Sequence, residues 1–332
     1  MRIITQSEVE RLLPVSACVS VMREAMIVTS QGDVSLPIRQ FMPVPGAPGK
    51  LALMPGALGR AGVAQGASFG IKLVCKYERP HGDPFGTHVG MVMLFDAVRG
   101  LPLAMVEGAS LTAIRTSAAS ALATDLLARG DATRLAIIGT GEQAMRHIAA
   151  VQSVRKISHV TVWGRNTEHA KVFAIDAKEK YSLPVETANT PASAVANADI
   201  ICTATSSQKP ILFGEDLRPG QHINLVGSAI PTTSEVDSEL VKVSRFYVDY
   251  RPAAMEAAGE LLKAIEAGVV TQDHIIAEIG EVAVGDFPGR ISVDDITCYK
   301  SLGVASQDLA AAYSVWRAAE ALDAGIKIDL LS

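Results

Sequence analysis

The segment Gly139-Thr140-Gly141-Glu142-Gln143-Ala144 constrains this chain more than any other. It follows Arg134-Leu135-Ala136-Ile137-Ile138, which reads as a buried strand, and it opens a stretch of helical spacing from about Glu142. Strand, glycine turn and helix in that order are what a dinucleotide-binding turn requires. Gly139 makes the tight turn, Gly141 lets backbone approach a pyrophosphate, and the helix N-terminus offers unpaired N–H groups to the anion. Ala144 replaces the third glycine and slightly widens helix–strand packing.

The rhythm around this turn is α/β. Strands are predicted over Leu135–Gly139, Val160–Trp163, Asp199–Thr203, Ile223–Val226 and Phe246–Val248, with helices from about Glu142 and Thr167. Strands alternating with helices pair in parallel through right-handed crossovers, so the middle of the chain is a Rossmann-type doubly wound parallel sheet. The first region is α+β in character. A helix is predicted over Ser7–Ser30, Gly and Pro mark turns from Pro43 to Gly70, and short strands fall at Leu51–Met54, Ile71–Cys75 and Val89–Phe95. Ser110–Leu127 is a helix of small residues interrupted by one cation, Arg115, which is either a surface residue or aimed at an anion. An Ala-rich helix over Ala305–Asp323 either returns to the N-terminal region or is the last helix of the sheet domain.

At 332 residues the chain exceeds one ordinary core, and two domains of about 100 to 200 residues are expected. Hydrophobic residues at 48% and charged residues at 20% exclude a disordered chain. A net charge of -5, with Lys and Arg scattered, argues against nucleic acid as a partner. Cys18, Cys75, Cys202 and Cys298 lie far apart with no Cys-x-x-Cys pair, which suggests neither a disulfide framework nor a metal site and fits a reducing cytoplasm. The N-terminus becomes charged before any apolar run develops, and no stretch reaches the roughly 18 apolar residues of a membrane span.

The second predicted strand ends Trp163-Gly164-Arg165-Asn166, where an Asp or Glu would hold the ribose 2′-hydroxyl of NAD. No carboxylate stands there; Gly164 leaves room and Arg165 offers a forked cation, so the 2′-phosphate of NADP is the better electrostatic match. Arg165 pointing to solvent is the alternative. Gly139, Gly141, Gly164, Arg165, Asn166, Thr203 and Thr205 are all assigned to the cofactor.

Several segments in order resemble the ornithine cyclodeaminase and μ-crystallin family: Pro37-Ile38-Arg39, Leu53-Met54-Pro55, Gly70-Ile71-Lys72, Thr112-Ala113-Ile114-Arg115-Thr116, the glycine turn, Val226-Gly227-Ser228 and Ser301-Leu302-Gly303. The resemblance covers nearly the whole chain and extends to archaeal-type alanine dehydrogenase and to ketimine or imino-acid reductases. It implies a substrate-binding and dimerisation domain of residues 1–115 plus 305–332, with the Rossmann domain, residues 116–304, inserted in it. It implies that Arg39, Lys72 and Arg115 surround a substrate carboxylate, with Gly303 near the substrate. Thr87, Arg115, Glu142, Gln143, Val226, Gly227, Ser228 and Leu302 are implied along the cofactor, and a homodimer is the implied assembly. Three convergent cations need an anion among them, and a carboxylate suits forked guanidinium contacts.

The departures matter as much. Family members that cyclise ornithine carry a carboxylate just before the Leu-Met-Pro stretch and another two positions after the Val-Gly pair; here these are Ala52 and Ala229. A methyl group cannot manage proton transfer or a distal ammonium. The expected activity is therefore NAD(P)H-dependent reduction of a C=N bond beside a carboxylate, as in pyrroline-2-carboxylate or iminosuccinate. Lys72 and His88 are the proton-transfer candidates, His88 having cross-strand packing as its alternative role. The competing readings are a cyclodeaminase with bound NAD, using Glu107 or Asp83 as its carboxylate, and a non-catalytic crystallin-like binding protein. Lys76, Arg79 and Gln40 either recognise a second carboxylate or are solvated.

Overall fold

The structure is a computed structural model describing residues 1–59, 67–78 and 85–330. The chain divides into two compact units, Met1–Arg115 with Val304–Ser332, and Thr116–Gly303. The first contains β1 (Arg2–Ile4), α1 (Gln6–Leu12), α2 (Val15–Ser30), β2 (Val34–Ser35), β3 (Gln40–Pro43), β4 (Lys50–Leu58), β5 (Ser68–Lys76), β6 (His88–Phe95), β7 (Pro102–Glu107) and the start of α3 (Gly108–Leu127). The second contains β8 (Arg134–Ile138), α4 (Glu142–Gln152), β9 (His159–Trp163), α5 (Thr167–Tyr181), β10 (Val185–Thr187), α6 (Pro191–Val195), β11 (Ile200–Thr203), β12 (His222–Leu225), α7 (Ser238–Val243), β13 (Arg245–Val248), α8 (Arg251–Ala257), α9 (Gly259–Glu266), β14 (Ile275–Glu278), α10 (Ile279–Val284) and β15 (Thr297–Lys300). The chain then returns to the first unit through α11 (Ala305–Ala321) and β16 (Ile326–Lys327).

The first unit is built on an eight-stranded sheet of order β16-β1-β7-β6-β5-β4-β2, with β3 also pairing β4. Burial alternates along β5, so that Gly70, Lys72 and Val74 lie on the covered face while Ile71 and Leu73 lie on the other. α11 and α2 pack on one another, and α11 also packs on β4, β5 and β6. A Cβ on Gly56 would come within 2.9 Å of the Ala305 side chain, so glycine lets α11 approach the sheet closely. Of the two readings of the last long helix, the return to the N-terminal region is the one observed.

Two local expectations change. The single helix over Ser7–Ser30 is two helices, because Pro14 interrupts the stretch and becomes the N-cap of α2. The short strand expected at Leu51–Met54 is the middle of the longer β4, which runs on through Pro55 and Gly56 to Leu58. Pro55 falls between the residues paired to β3 and those paired to β2, an edge position that tolerates a residue without an N–H.

The second unit is an all-parallel sheet of order β10-β9-β8-β11-β12-β15-β13-β14. β11, β12 and β15 are buried at every position, as central strands covered on both faces must be. The chain runs outward one way from β8 to β10 and the other way from β11, which makes the C-terminal ends of β8 and β11 the switch point where ligands of such sheets bind. β10, β14 and β15, absent from the sequence reading, complete the sheet; at three or four residues each they are too short for period counting. Among the described residues no single helix is long and apolar enough to cross a membrane.

Candidate active site

In the first unit the cation set forms around a residue that sequence reasoning missed. Lys72 occupies an inward position of β5, opposite Met54 and Val92. It is 4% exposed, and its Nζ donates to Asp308 Oδ1 at 2.8 Å and to Thr112 Oγ1 at 3.3 Å. Arg115, also 4% exposed, donates through Nε to the same Asp308 oxygen at 2.8 Å and through Nη1 to Gln307 Oε1 at 2.8 Å. Thr112 and Arg115 are three residues apart on α3 and so share a face. Glu107 caps that helix, accepting from the Ala109 and Ser110 amides, so it is a helix cap here. Asp83 and Arg79 lie outside the described residues.

Burial pulls the Lys72 ammonium down to about 7, with Arg115 and Arg39 acting in the same direction and Asp308 against them. Burial would raise the Asp308 carboxyl, but Arg115 and Lys72 more than offset this and hold it below the usual carboxylate range. Arg39 thus adds its field to Lys72. His88, opposite Lys76, pairs its Nδ1 with Thr87 Oγ1 at 2.9 Å. Its neighbours desolvate it, and Lys76, Lys72 and Arg39 push it down further, to about 4. The ring is therefore neutral near pH 7 and offers no ready acidic proton. Lys76 is exposed beside Lys50 and Arg39, and Gln40 is exposed on β3. Ala52 is buried on β4 opposite Val74.

In the second unit the glycine turn fits a dinucleotide. Gly139 has φ +125°, and a Cβ there would lie 2.5 Å from the Ala204 carbonyl oxygen; only glycine serves. Gly141 is the N-cap of α4, no side chain caps that helix, and open space lies where a Gly141 Cβ would be. Gln143 Oε1 is buried without a hydrogen-bond partner among the described residues. Glu142 is exposed, 3.6 Å from Arg146. His147 fixes the helix: Nδ1–H donates to the Gln143 carbonyl at 2.7 Å and Nε2 accepts from Ser120 Oγ at 2.9 Å. Burial keeps this imidazole neutral by pushing it down to about 4.

At the tip of β9, Arg165 is exposed and makes no ion pair or hydrogen bond among the described residues. Its neighbours differ from expectation. The room left by Gly164 is taken by Thr140, whose Cγ2 would be 2.5 Å from an added Cβ, and the Asn166 side chain caps α5 by accepting from the His169 amide at 3.1 Å.

The side chains of Thr203 and Thr205 are held from within the protein. Glu235, fully buried, accepts from Thr203 Oγ1 at 2.7 Å, Thr205 N at 2.8 Å, Thr205 Oγ1 at 2.7 Å and Gly227 N at 2.7 Å. Thr203 has no exposed surface, and both hydroxyls are committed to holding the ends of β11 and β12 together. Ser228 is bound to Thr233, and Lys300, paired at 3.1 Å with Glu260, donates to the Ser228 carbonyl. Asp249 Oδ2 accepts the Leu302 and Gly303 amides, each at 2.8 Å. Val226 and Ala229 are partly buried, Ala229 against the sheet's core. These carboxylates are buried supports from distant segments, and no local motif announces them.

A glycine turn at the switch point of a parallel sheet, its helix N-terminus left open, places the chain among dinucleotide-dependent enzymes. More particularly, the chain belongs to the ornithine cyclodeaminase/mu-crystallin family, whose model matches residues 1–322. It is 35% identical over 331 residues to the Delta(1)-pyrroline-2-carboxylate reductase of Bacillus cereus, covering 99% of this chain and 100% of that one. It is 36% identical over 285 residues to the ketimine reductase mu-crystallin of Rattus norvegicus, covering 86% and 85%. Among solved structures it resembles Thermococcus litoralis Delta(1)-pyrroline-2-carboxylate reductase in complex with NADH and L-proline, with TM-score 0.92 and 30% identity over 99% of this chain and 100% of that one.

Proposed function

We propose that this protein is an NAD(P)H-dependent imino-acid reductase that adds hydride to the carbon of a C=N bond beside a carboxylate, yielding an α-amino acid. The observation that carries this is the Lys72–Asp308–Arg115 arrangement. Two buried cations share one anion, so the trio is net positive when Lys72 is protonated. Arg115 Nη2 and one Lys72 N–H are not used by these bonds; the guanidinium nitrogen is the donor a substrate carboxylate would take, and the Lys72 N–H is left for the imine nitrogen. The dinucleotide, when bound, supplies the hydride; Gly139, Gly141 and the α4 N-terminus would hold its pyrophosphate. Lys72 does the proton work, giving a proton to the imine nitrogen as the carbon is reduced. Pyrroline-2-carboxylate is the substrate to try first, because relatives of this chain bear its name.

The test is oxidation of NADH or NADPH, read as absorbance loss, with pyrroline-2-carboxylate and with ornithine as the control. Imine-dependent oxidation without ornithine turnover is expected; ammonia release from ornithine with no net change in the nicotinamide would overturn the reading. Since Lys72 must be protonated, kcat/KM for reduction falls as pH rises through about 7.

Arg165 favours NADP over NAD in this reading. Arg165→Ala should lower the NADPH-to-NADH ratio of kcat/KM by about tenfold, the loss of one charge-assisted phosphate contact. An unchanged ratio would return Arg165 to the solvent.

The assembly we infer is a homodimer through the sheet of the first unit. On the face opposite Lys72, Met42, Leu51, Cys75 and Val89 form one cross-strand row, and Leu53, Leu73 and Met91 form the next. Met42, Val89 and Met91 are 50%, 37% and 37% exposed, an apolar patch that a partner sheet would cover. Light scattering should give a dimer for the native chain and a monomer for Met91→Lys; a native monomer defeats the proposal. The four thiols are unpaired, which suits the cytoplasm.

A further inference from the structure

We propose that Asp308 is a positioning residue of the reductase: from one carboxylate oxygen it holds Lys72 and Arg115 together, leaving their remaining donors for the substrate. The proposal rests on reading Lys72 and Arg115 as the substrate clamp. Three elements meet at this oxygen, since Asp308 stands on α11, Lys72 on β5 and Arg115 on α3. Gln307, the preceding residue of α11, takes a second Arg115 nitrogen, which fixes the guanidinium plane and points its use to the outer edge.

Asp308 is fully buried, and its Oδ2 has no hydrogen-bond partner among the described residues. A buried carboxylate with one unsatisfied oxygen is costly, and among the described residues the two cations compensate it. The coupling runs both ways. The groups acting on Lys72 are Asp308 from α11, Arg115 from α3 and Arg39 from the segment before β3, while His88 on β6 lies within its field. Of these, Asp308 alone favours the ammonium form. Removing its charge while keeping its shape therefore leaves Lys72 with burial and two cations opposing protonation.

The experiment is the pH profile of kcat/KM for imine reduction in Asp308→Asn, with Asp308→Glu as the conservative control. In Asp308→Asn the falling limb should move to lower pH by about one unit or more, so that kcat/KM at pH about 7.5 drops about tenfold beyond any pH-independent loss. Asp308→Glu, which keeps the charge, should return the limb toward its native position. Dinucleotide binding by fluorescence and the melting temperature establish that each variant is folded. If Asp308→Asn does not fold, Asp308→Ser, which leaves room for water, is read the same way. A limb unmoved in a folded neutral variant overturns the proposal. So does folding by Asp308→Glu alone, which would make the carboxylate a requirement of stability. A native protein that does not reduce imines is a different failure, that of the functional reading itself.

Discussion

Lys72→Ala lowers kcat/KM for imine reduction by about 10²- to 10⁴-fold, the range expected when a positioned proton donor is removed. Lys72 is the one buried amine in the cation set, and burial brings it to about 7, where an ammonium can both hold a proton and release it. Arginine at the same place keeps the charge but does not titrate, so Lys72→Arg should retain carboxylate affinity better than Lys72→Ala while staying slow and losing the limb near pH 7. Steady-state kinetics across pH separates these effects, because lost carboxylate binding raises KM whereas lost proton transfer lowers kcat. Activity within threefold of native in Lys72→Ala would remove Lys72 from the chemistry.

Glu235→Ala should destabilise the second unit by about 4 kcal/mol or more, at the top of the range for single substitutions. It strands two amides, Thr205 N and Gly227 N, and two hydroxyls that all end on this carboxylate. Each buried donor left without an acceptor costs roughly 1 to 3 kcal/mol. Glu235→Gln should fall between, since its amide nitrogen would face the Gly227 N–H, donor against donor. Denaturant midpoints check the stability and dinucleotide titration the consequence, as the strand ends lose their register. A midpoint change worth less than about 1 kcal/mol would mean that water replaces the carboxylate readily.

How much of this was legible depended on the distance over which each residue acts. The glycine turn is local: β8, Gly139, Gly141 and α4 interact through neighbours in sequence, and their order was readable. Lys72 and Arg115 were named through resemblance, but the residue that joins them was not. Asp308 stands 236 positions from Lys72, in an Ala-rich helix whose placement the sequence left open. That helix buries Ser306, Gln307 and Asp308, and no periodicity reports a helix enclosed on both sides. The role of Thr203 and Thr205 was hidden for the same reason: hydroxyls at a strand end look like ligand donors, and the bonds they make to Glu235, some thirty residues on, are not visible from the sequence. Pro55 misled in the other direction, because a strand edge without a partner accepts what a central strand rejects.

The first unit is discontinuous in sequence, and this sets an order of events during synthesis. Its sheet is laid down early, yet α11, which covers that sheet and brings Asp308 to Lys72, is made only after all of Thr116–Gly303. β16, which pairs with β1, comes later still. At typical elongation rates the delay is on the order of ten to forty seconds, long enough for the parallel-sheet unit to fold first. Throughout it the β5 and β6 surface lacks α11 and Lys72 lacks Asp308. A nascent chain of this design is exposed to aggregation and to chaperones through the same face that later holds the clamp.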